Sequence, residues 1–173
     1  MLKTIDKITK SKWYWISFIA IGVLLESSAL YYQYVLDYMP CVLCIHVRIL
    51  VLAIIILALL ALQLRHLTAA LLSTHIAMTA VLASLFERSY QLLGVERGFI
   101  FGSCSMDSGL PSWFALDTWL PSLFKIWEAC GYTPELLFGI TMAEALIALS
   151  SVLLLVSGIL SAALLINICI RKN

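Results

Sequence analysis

The 173-residue chain is predicted to fold as an all-α, integral membrane four-helix bundle. A long outward loop between helices 3 and 4 is predicted to carry a short interfacial helix. Three observations predict this. Hydrophobic residues make up 62% of the chain and charged residues only 12%, against ~25% charged in an ordinary soluble domain. Four apolar stretches each reach the roughly 20 residues that a helix needs to cross a ~30 Å hydrocarbon core. Strand-like alternation is absent, which argues against a transmembrane barrel. A mean hydropathy of +1.01 also excludes a disordered chain and a typical cytosolic enzyme. The formal net charge of +1 supplies no field to recruit nucleic acid.

The whole chain, 1–173, reads as a single membrane domain. The first span covers about 13–32. No small-x-small cleavage site follows its apolar run, which is succeeded by Tyr31-Tyr32-Gln33-Tyr34, so it is read as retained rather than as a signal peptide. Trp13, Trp15, Tyr31, Tyr32 and Tyr34 suit its two aromatic belts. The second span covers about 41–64, the third about 67–86 and the fourth about 141–168. Two loops, about 33–40 and 87–140, share one side. A long connection of the second kind is usually functional. Within it Trp113, Leu116, Leu120, Leu123 and Trp127 recur at helical spacing, which predicts the surface helix. Pro111 and Pro121 bracket or interrupt it. The alternative is a loop that packs its aromatics on the helix ends.

Orientation follows from Lys and Arg. Lys3, Lys7, Lys10, Lys12, Arg65, Arg171 and Lys172 fall on one side if four spans alternate, and these are seven of the eleven basic residues. The other side carries Asp37, Glu87, Glu96, Asp107, Asp117, Glu128 and Glu135 against Arg88, Arg97 and Lys125. Both termini are therefore expected in the cytoplasm, with the loops outside.

Four of the five cysteines (Cys41, Cys44, Cys104 and Cys130) fall on the outward side, and Cys169 falls at the cytoplasmic end of span four. In bacteria the outward side is oxidising and the cytoplasm reducing, so the partition fits outward disulfides and a reduced inner thiol. Four cysteines allow three pairings. Adjacency favours Cys41 with Cys44, which leaves Cys104 with Cys130. Cys41-Val42-Leu43-Cys44 is a C-x-x-C at the start of span two, preceded by Pro40, a residue favoured at helix starts. Helix N-termini favour a thiolate. Arg48, four residues after Cys44 and on the same face, favours it further.

The competing readings are chemically distinct. Buried cysteines often act only as small hydrophobes, and the disulfides can be purely structural. A zinc site needs four converging sulfurs, and only one C-x-x-C knuckle is present. Covalent haem attachment needs C-x-x-C-H, but Ile45 follows Cys44 and His46 comes one place late. His46 and His75 lie at depths about 12 Å apart on antiparallel spans, which argues against bis-histidine haem. His75 is read as a hydrogen-bonded bundle residue, and His46 as a proton carrier or an interfacial side chain. Glu26 lies roughly 9 Å deep in span one, level with Arg48. Intramembrane charges are functional candidates, and the two are expected to pair; the alternative is a protonated Glu26 bonded to Ser27 or a neighbouring helix.

The run Ala29-Leu30-Tyr31-Tyr32-Gln33-Tyr34, then Pro40-Cys41-Val42-Leu43-Cys44-Ile45, then Arg48 resembles the bacterial disulfide bond formation protein B (DsbB) family. So does the later run Pro111, Trp113, Leu116-Asp117, Trp119, Pro121 and Cys130. The resemblance covers nearly the whole chain, and the Pro-Cys-x-x-Cys-x-x-x-Arg motif is far more specific than C-x-x-C alone. It implies a bacterial inner-membrane enzyme, a quinone-dependent protein-disulfide oxidoreductase. Members reoxidise a soluble periplasmic thioredoxin-like thiol oxidase (DsbA-like) and pass its electrons to membrane quinone, a route that also keeps the periplasm oxidising. The resemblance implies that Cys104 takes the mixed disulfide with the partner and that Cys130 exchanges with Cys41. It also implies that Cys44 is the thiolate facing the quinone and that Arg48 belongs to the quinone site. The implied cofactor is ubiquinone or menaquinone, entering from membrane lipid, with no metal. Glu26 and His46 are added as quinone-site candidates.

The chain departs from the family after the last loop cysteine. A Trp-x-Phe-Leu-Gly stretch and a Met-Pro pair are replaced by Gly131-Tyr132-Thr133-Pro134 and Phe138-Gly139-Ile140-Thr141-Met142-Ala143. The departure bears on partner preference. The segment 87–102 aligns loosely, so no role is carried onto Arg88 or Gln91. Two alternatives stand beside the leading reading. One is a dedicated-partner oxidase, or an oxidoreductase like the vitamin K epoxide reductase relatives. The other is a non-catalytic four-helix subunit with structural disulfides.

Overall fold

The computed structural model describes residues 7–100, 109–131, 133–137 and 139–172. In chain order these form α1 (Lys12–Tyr34), α2 (Val42–Leu64) and α3 (Thr68–Glu96), then a 3-10 turn (Ser112–Phe114). Then follow α4 (Leu116–Trp119), α5 (Pro121–Phe124), β1 (Glu135–Leu137), β2 (Ile140–Thr141) and α6 (Met142–Lys172). Among the described residues, α1, α2, α3 and α6 are long and apolar enough to cross a membrane. Helices suit such sequence because each satisfies its own backbone hydrogen bonds where no water can.

The bundle packs in series, α1 on α2, α2 on α3 and α3 on α6. Its centre is a cluster of Trp15, Phe18, Val51, Ile54, Ala58, Ala61, Leu71, Met78, Leu82 and Leu85. Gly22 sets the approach of α1 to α2. A Cβ there would sit 2.6 Å from Cγ1 of Ile55, so only a hydrogen fits at the crossing. Val23, Leu24, Ile56, Val152, Leu155 and Ile159 point outward and stay exposed. Such a surface is unsuited to water and suited to lipid.

In the half of the bundle nearer the chain termini, polar side chains are buried against one another. Thr79 Oγ1 lies 2.9 Å from the hydroxyls of both Ser157 and Ser161, tying α3 to α6. His75 is fully buried, with its ring against those of Tyr14 and Trp15 at 5.7 and 4.7 Å.

Two helices run well beyond the ~30 Å core, by about ten ångströms or more. The 29 residues of α3 extend about 44 Å at helical rise. The helix therefore continues ten residues past Phe86, where the apolar run stops. It ends where Gly98 takes a left-handed φ of 74° and the amides of Phe99 and Ile100 donate back to the Gly94 carbonyl, a C-terminal cap of the glycine type. At the start of α6, Thr141 and Glu144 form a reciprocal capping box. The Thr141 N–H donates to the Glu144 carboxylate at 3.1 Å, and the Glu144 N–H donates to the Thr141 hydroxyl at 3.3 Å. Arg97 of the α3 cap pairs with the same carboxylate.

The interfacial helix is realised as three short turns rather than one rod. Pro121 has no N–H to extend α4, and Leu120 before it leaves the helical region at φ −132° and ψ 65°. The chain therefore restarts at α5 with the proline in its first turn.

Candidate functional site

The site forms at the loop end of α2. Cys41 is not the first helical residue but the N-cap, with extended φ and ψ of −86° and 171°. Its Sγ accepts the Cys44 N–H at 3.3 Å. Pro40 therefore stands just outside the helix, two places before its first helical residue. The C-x-x-C spacing places one sulfur at the cap and the second cysteine three residues inside, where its N–H, unpartnered within the helix, is taken by the first sulfur.

The chain after α5 returns alongside these cysteines. Phe124 is buried. The Trp127 N–H donates to the Pro40 carbonyl at 3.1 Å, and Glu128 forms a parallel bridge with Cys41. Two residues on, Cys130 meets Cys41. The Cys41 thiol is hydrogen-bonded to the sulfurs of both Cys130 and Cys44. These bonds, Cys130 first, together with burial hold it well above the usual thiol range. Three sulfurs from two distant segments thus share one spot. Cys104 lies outside the described residues. Cys169 is exposed near the end of α6.

Beside these sulfurs α1 and α6 make little direct contact, and a cavity of about 300 Å³ opens between α1, α2, α6 and the returning loop. Its walls are mostly apolar, among them Leu25, Val47, Val51, Leu146 and Leu149, with Tyr38 and Pro40 at the loop end. Its polar lining includes Cys44, Arg48, Glu26, Glu128 and Thr133. Arg48 is 5% exposed. Its Nη1 donates to Gln33 Oε1 at 2.8 Å and to the Leu123 carbonyl at 2.6 Å. Its Nε lies 3.8 Å from Glu26 Oε2. Among the described residues, Nε has no hydrogen-bond acceptor. An apolar slot with one buried unsatisfied donor beside a thiol fits a flat apolar ring that carries a carbonyl oxygen.

The structure thus brings together Cys41, Cys44, Cys130, Arg48 and Glu26. It leaves His46 half-buried on α2 and outside the cavity lining. Among the described residues, no three His, Cys, Asp or Glu side chains gather as a metal-ligand set. Sequence reasoning passed over Gln33, which is buried and joins Arg48 to the loop through the Ser122 carbonyl at 3.1 Å. The available signal was a lone amide among aromatic residues at a helix end. It also missed Thr133, which is buried and donates to the Glu96 carboxylate.

The sequence model described as "Disulfide bond formation protein DsbB" matches residues 11–160. The chain is similar to Disulfide bond formation protein B of Shewanella frigidimarina, at 38% identity over 127 residues, covering 72% of this chain and 73% of the relative. It is similar to Disulfide bond formation protein B of Psychromonas ingrahamii, at 30% identity over 146 residues and 77% of each chain. It is also similar to Disulfide bond formation protein B 2 of Pseudomonas aeruginosa, at 31% identity over 159 residues, or 90% of this chain and 91% of the relative. With four membrane-length helices and cysteines gathered at one end of the bundle, the chain belongs to the disulfide bond formation protein DsbB family.

Proposed function

We propose that this chain is a quinone-linked dithiol oxidase of a bacterial inner membrane, acting on a DsbA-like periplasmic partner. The observation that carries the reading is the Cys41 thiol in contact with both Cys44 and Cys130, beside the cavity that holds Cys44, Arg48 and Glu26. The whole chain would act as one membrane domain, with both termini cytoplasmic and the loops periplasmic.

The proposed sequence starts with Cys104 bonded to Cys130 and Cys41 bonded to Cys44. A partner thiolate attacks Cys104, and Cys130 leaves as a thiolate. The partner's second thiolate displaces Cys104, and the partner departs oxidised. Cys130 then attacks Cys41, whose bond to Cys44 breaks and releases the Cys44 thiolate. Cys104 attacks Cys130, reforms the loop disulfide and releases Cys41. Two electrons and two protons now reside on the Cys41–Cys44 pair.

A quinone in the cavity supplies a two-electron, two-proton acceptor. Arg48 would donate Nε–H to a ring oxygen, Glu26 beside that nitrogen would balance the guanidinium charge, and Cys44 would donate the electrons. Protons would come from outside water or from His46. An unchanged pH profile in His46→Phe would leave water as the source.

The test is quinone reduction by the purified protein in detergent with a reduced thioredoxin-like dithiol and ubiquinone or menaquinone analogues. Turnover in the wild type that vanishes in Cys44→Ser supports the reading. Absence of turnover with every quinone, in a chain that holds an oxidised Cys41–Cys44 pair, overturns it.

A further inference from the structure

We propose that Gln33 is a positioning residue that couples docking of the loop to the orientation of Arg48. The quinone part of this proposal rests on the function proposed above; the docking part does not.

The one-turn helix α5 is held at its C-terminal end by side chains of the spans. The last carbonyls of a helix have no partner within it, and the Pro121 carbonyl is taken by the Lys125 N–H. Side chains from two spans satisfy the next two. Gln33 Nε2 donates to the Ser122 carbonyl at 3.1 Å, and the Tyr34 hydroxyl donates to the same oxygen. Arg48 Nη1 donates to the Leu123 carbonyl at 2.6 Å. Because Nη1 also donates to Gln33 Oε1 at 2.8 Å, both of its hydrogens are committed. The planar guanidinium is then fixed, with Nε turned to the Glu26 side.

The amide of Gln33 works in both directions at once. Its oxygen faces a donor-only guanidinium and its nitrogen faces a carbonyl, so one amide orientation satisfies both contacts and the flipped one satisfies neither. The docked turn precedes Cys130 by only a few residues. The intervening chain is held along Pro40 and Cys41 by the Trp127 and Glu128 contacts. Gln33 therefore links the segment that brings Cys130 to Cys41 with the guanidinium that faces the cavity. Losing the docked turn removes an acceptor from a buried arginine, which must then reorient.

Two substitutions separate the two halves of the link. Gln33→Leu removes both contacts. Gln33→Glu keeps an acceptor for Arg48 but offers no donor to Ser122. Docking is read as the rate of Cys41–Cys130 cross-linking by copper–phenanthroline in air, in the full-length chain carrying Cys44→Ala and Cys104→Ala. Positioning is read as KM for a short-chain ubiquinone analogue, with kcat taken separately, in the chain with all its cysteines. Gln33→Leu is expected to slow cross-linking several-fold and to raise KM about tenfold, the scale of one hydrogen bond to a charged group. Gln33→Glu is expected to raise KM less than Gln33→Leu does, because it keeps the acceptor for Arg48, while cross-linking stays slow. Tyr34→Phe, which weakens docking while Gln33 stays in place, is expected to slow cross-linking and to raise KM in the same sense. A Gln33→Leu chain with either readout at the wild-type value overturns the coupling. If that variant does not fold, Gln33→Glu decides: wild-type cross-linking overturns the docking role, and slowed cross-linking at the wild-type KM overturns the coupling. A wild-type chain that reduces no quinone overturns the proposed function and leaves cross-linking to decide docking.

Discussion

Cys41 caps the helix that carries Cys44: its sulfur accepts the Cys44 N–H at 3.3 Å while its thiol touches Cys130. One atom is thus both a structural cap and a proposed exchange centre. The two roles separate by substitution. A serine hydroxyl is among the best N-caps, and alanine has none, at a cost of about 1 kcal/mol. Cys41→Ser is expected to keep the stability of the reduced wild type, and Cys41→Ala to lose roughly that amount. Both should abolish electron flow. Denaturation in detergent, run beside dithiol oxidation, checks the split; equal stability of the two variants would remove the cap from the account.

Arg48 and Glu26 face each other across the cavity wall at 3.8 Å. Lysine can replace the charge of Arg48 but not its fork, which serves Gln33 and Leu123 on one nitrogen and Glu26 on another. Arg48→Lys is expected to raise the quinone KM about tenfold, and Arg48→Met more. Glu26→Gln should impair the site in the same sense. Steady-state kinetics across quinone concentrations decide this, and wild-type turnover in Glu26→Gln would take the pair out of the mechanism.

Much of this architecture is legible in the sequence because a membrane span advertises itself by composition. Where physics shifts from composition to contact, legibility falls. The apolar run stops at Phe86, yet α3 continues to Glu96, because helix propensity persists until Gly98 supplies a cap. The spacing of Trp113, Leu116, Leu120, Leu123 and Trp127 is helical, but Pro121 restarts the chain, and no periodicity count registers a missing N–H. The C-x-x-C and Arg48 stand out locally. Gln33 does not, since its partner is a backbone carbonyl 89 residues away. The meeting of Cys130 with Cys41 likewise depends on how the loop returns, which spacing alone leaves open.

Thr141-Met-Ala-Glu144 is a capping box that sequence inspection can find. It starts α6 next to the strand ribbon that follows the Cys130 segment. Thr141→Ala removes the cap and is expected to destabilise the protein by about 1 kcal/mol. Glu144→Gln preserves the box, because a glutamine oxygen also accepts the Thr141 N–H, and removes only an ion pair to the exposed Arg97. Little change is expected there. Chemical denaturation of both variants tests the ranking, and a larger loss in Glu144→Gln would assign the stability to the ion pair instead.

The contacts that hold Cys41 above the usual thiol range predict a pH profile for the reduced protein. A raised thiol is protonated at neutral pH, so the reactive thiolate is a small fraction that grows about tenfold per pH unit. Alkylation of Cys41 by iodoacetamide, followed by mass spectrometry of its peptide, should rise with that slope from pH 7 to pH 10 without a plateau. The largest cause is the bond to Cys130. Cys130→Ala is therefore expected to speed labelling of Cys41 at every pH in that window. Burial and the Cys44 contact remain, so the rate should stay below that of an unfolded cysteine control. A profile with its midpoint near pH 8.5 that levels off above it would mean that Cys41 behaves as an ordinary thiol and that the three sulfurs do not share their protons in the reduced protein.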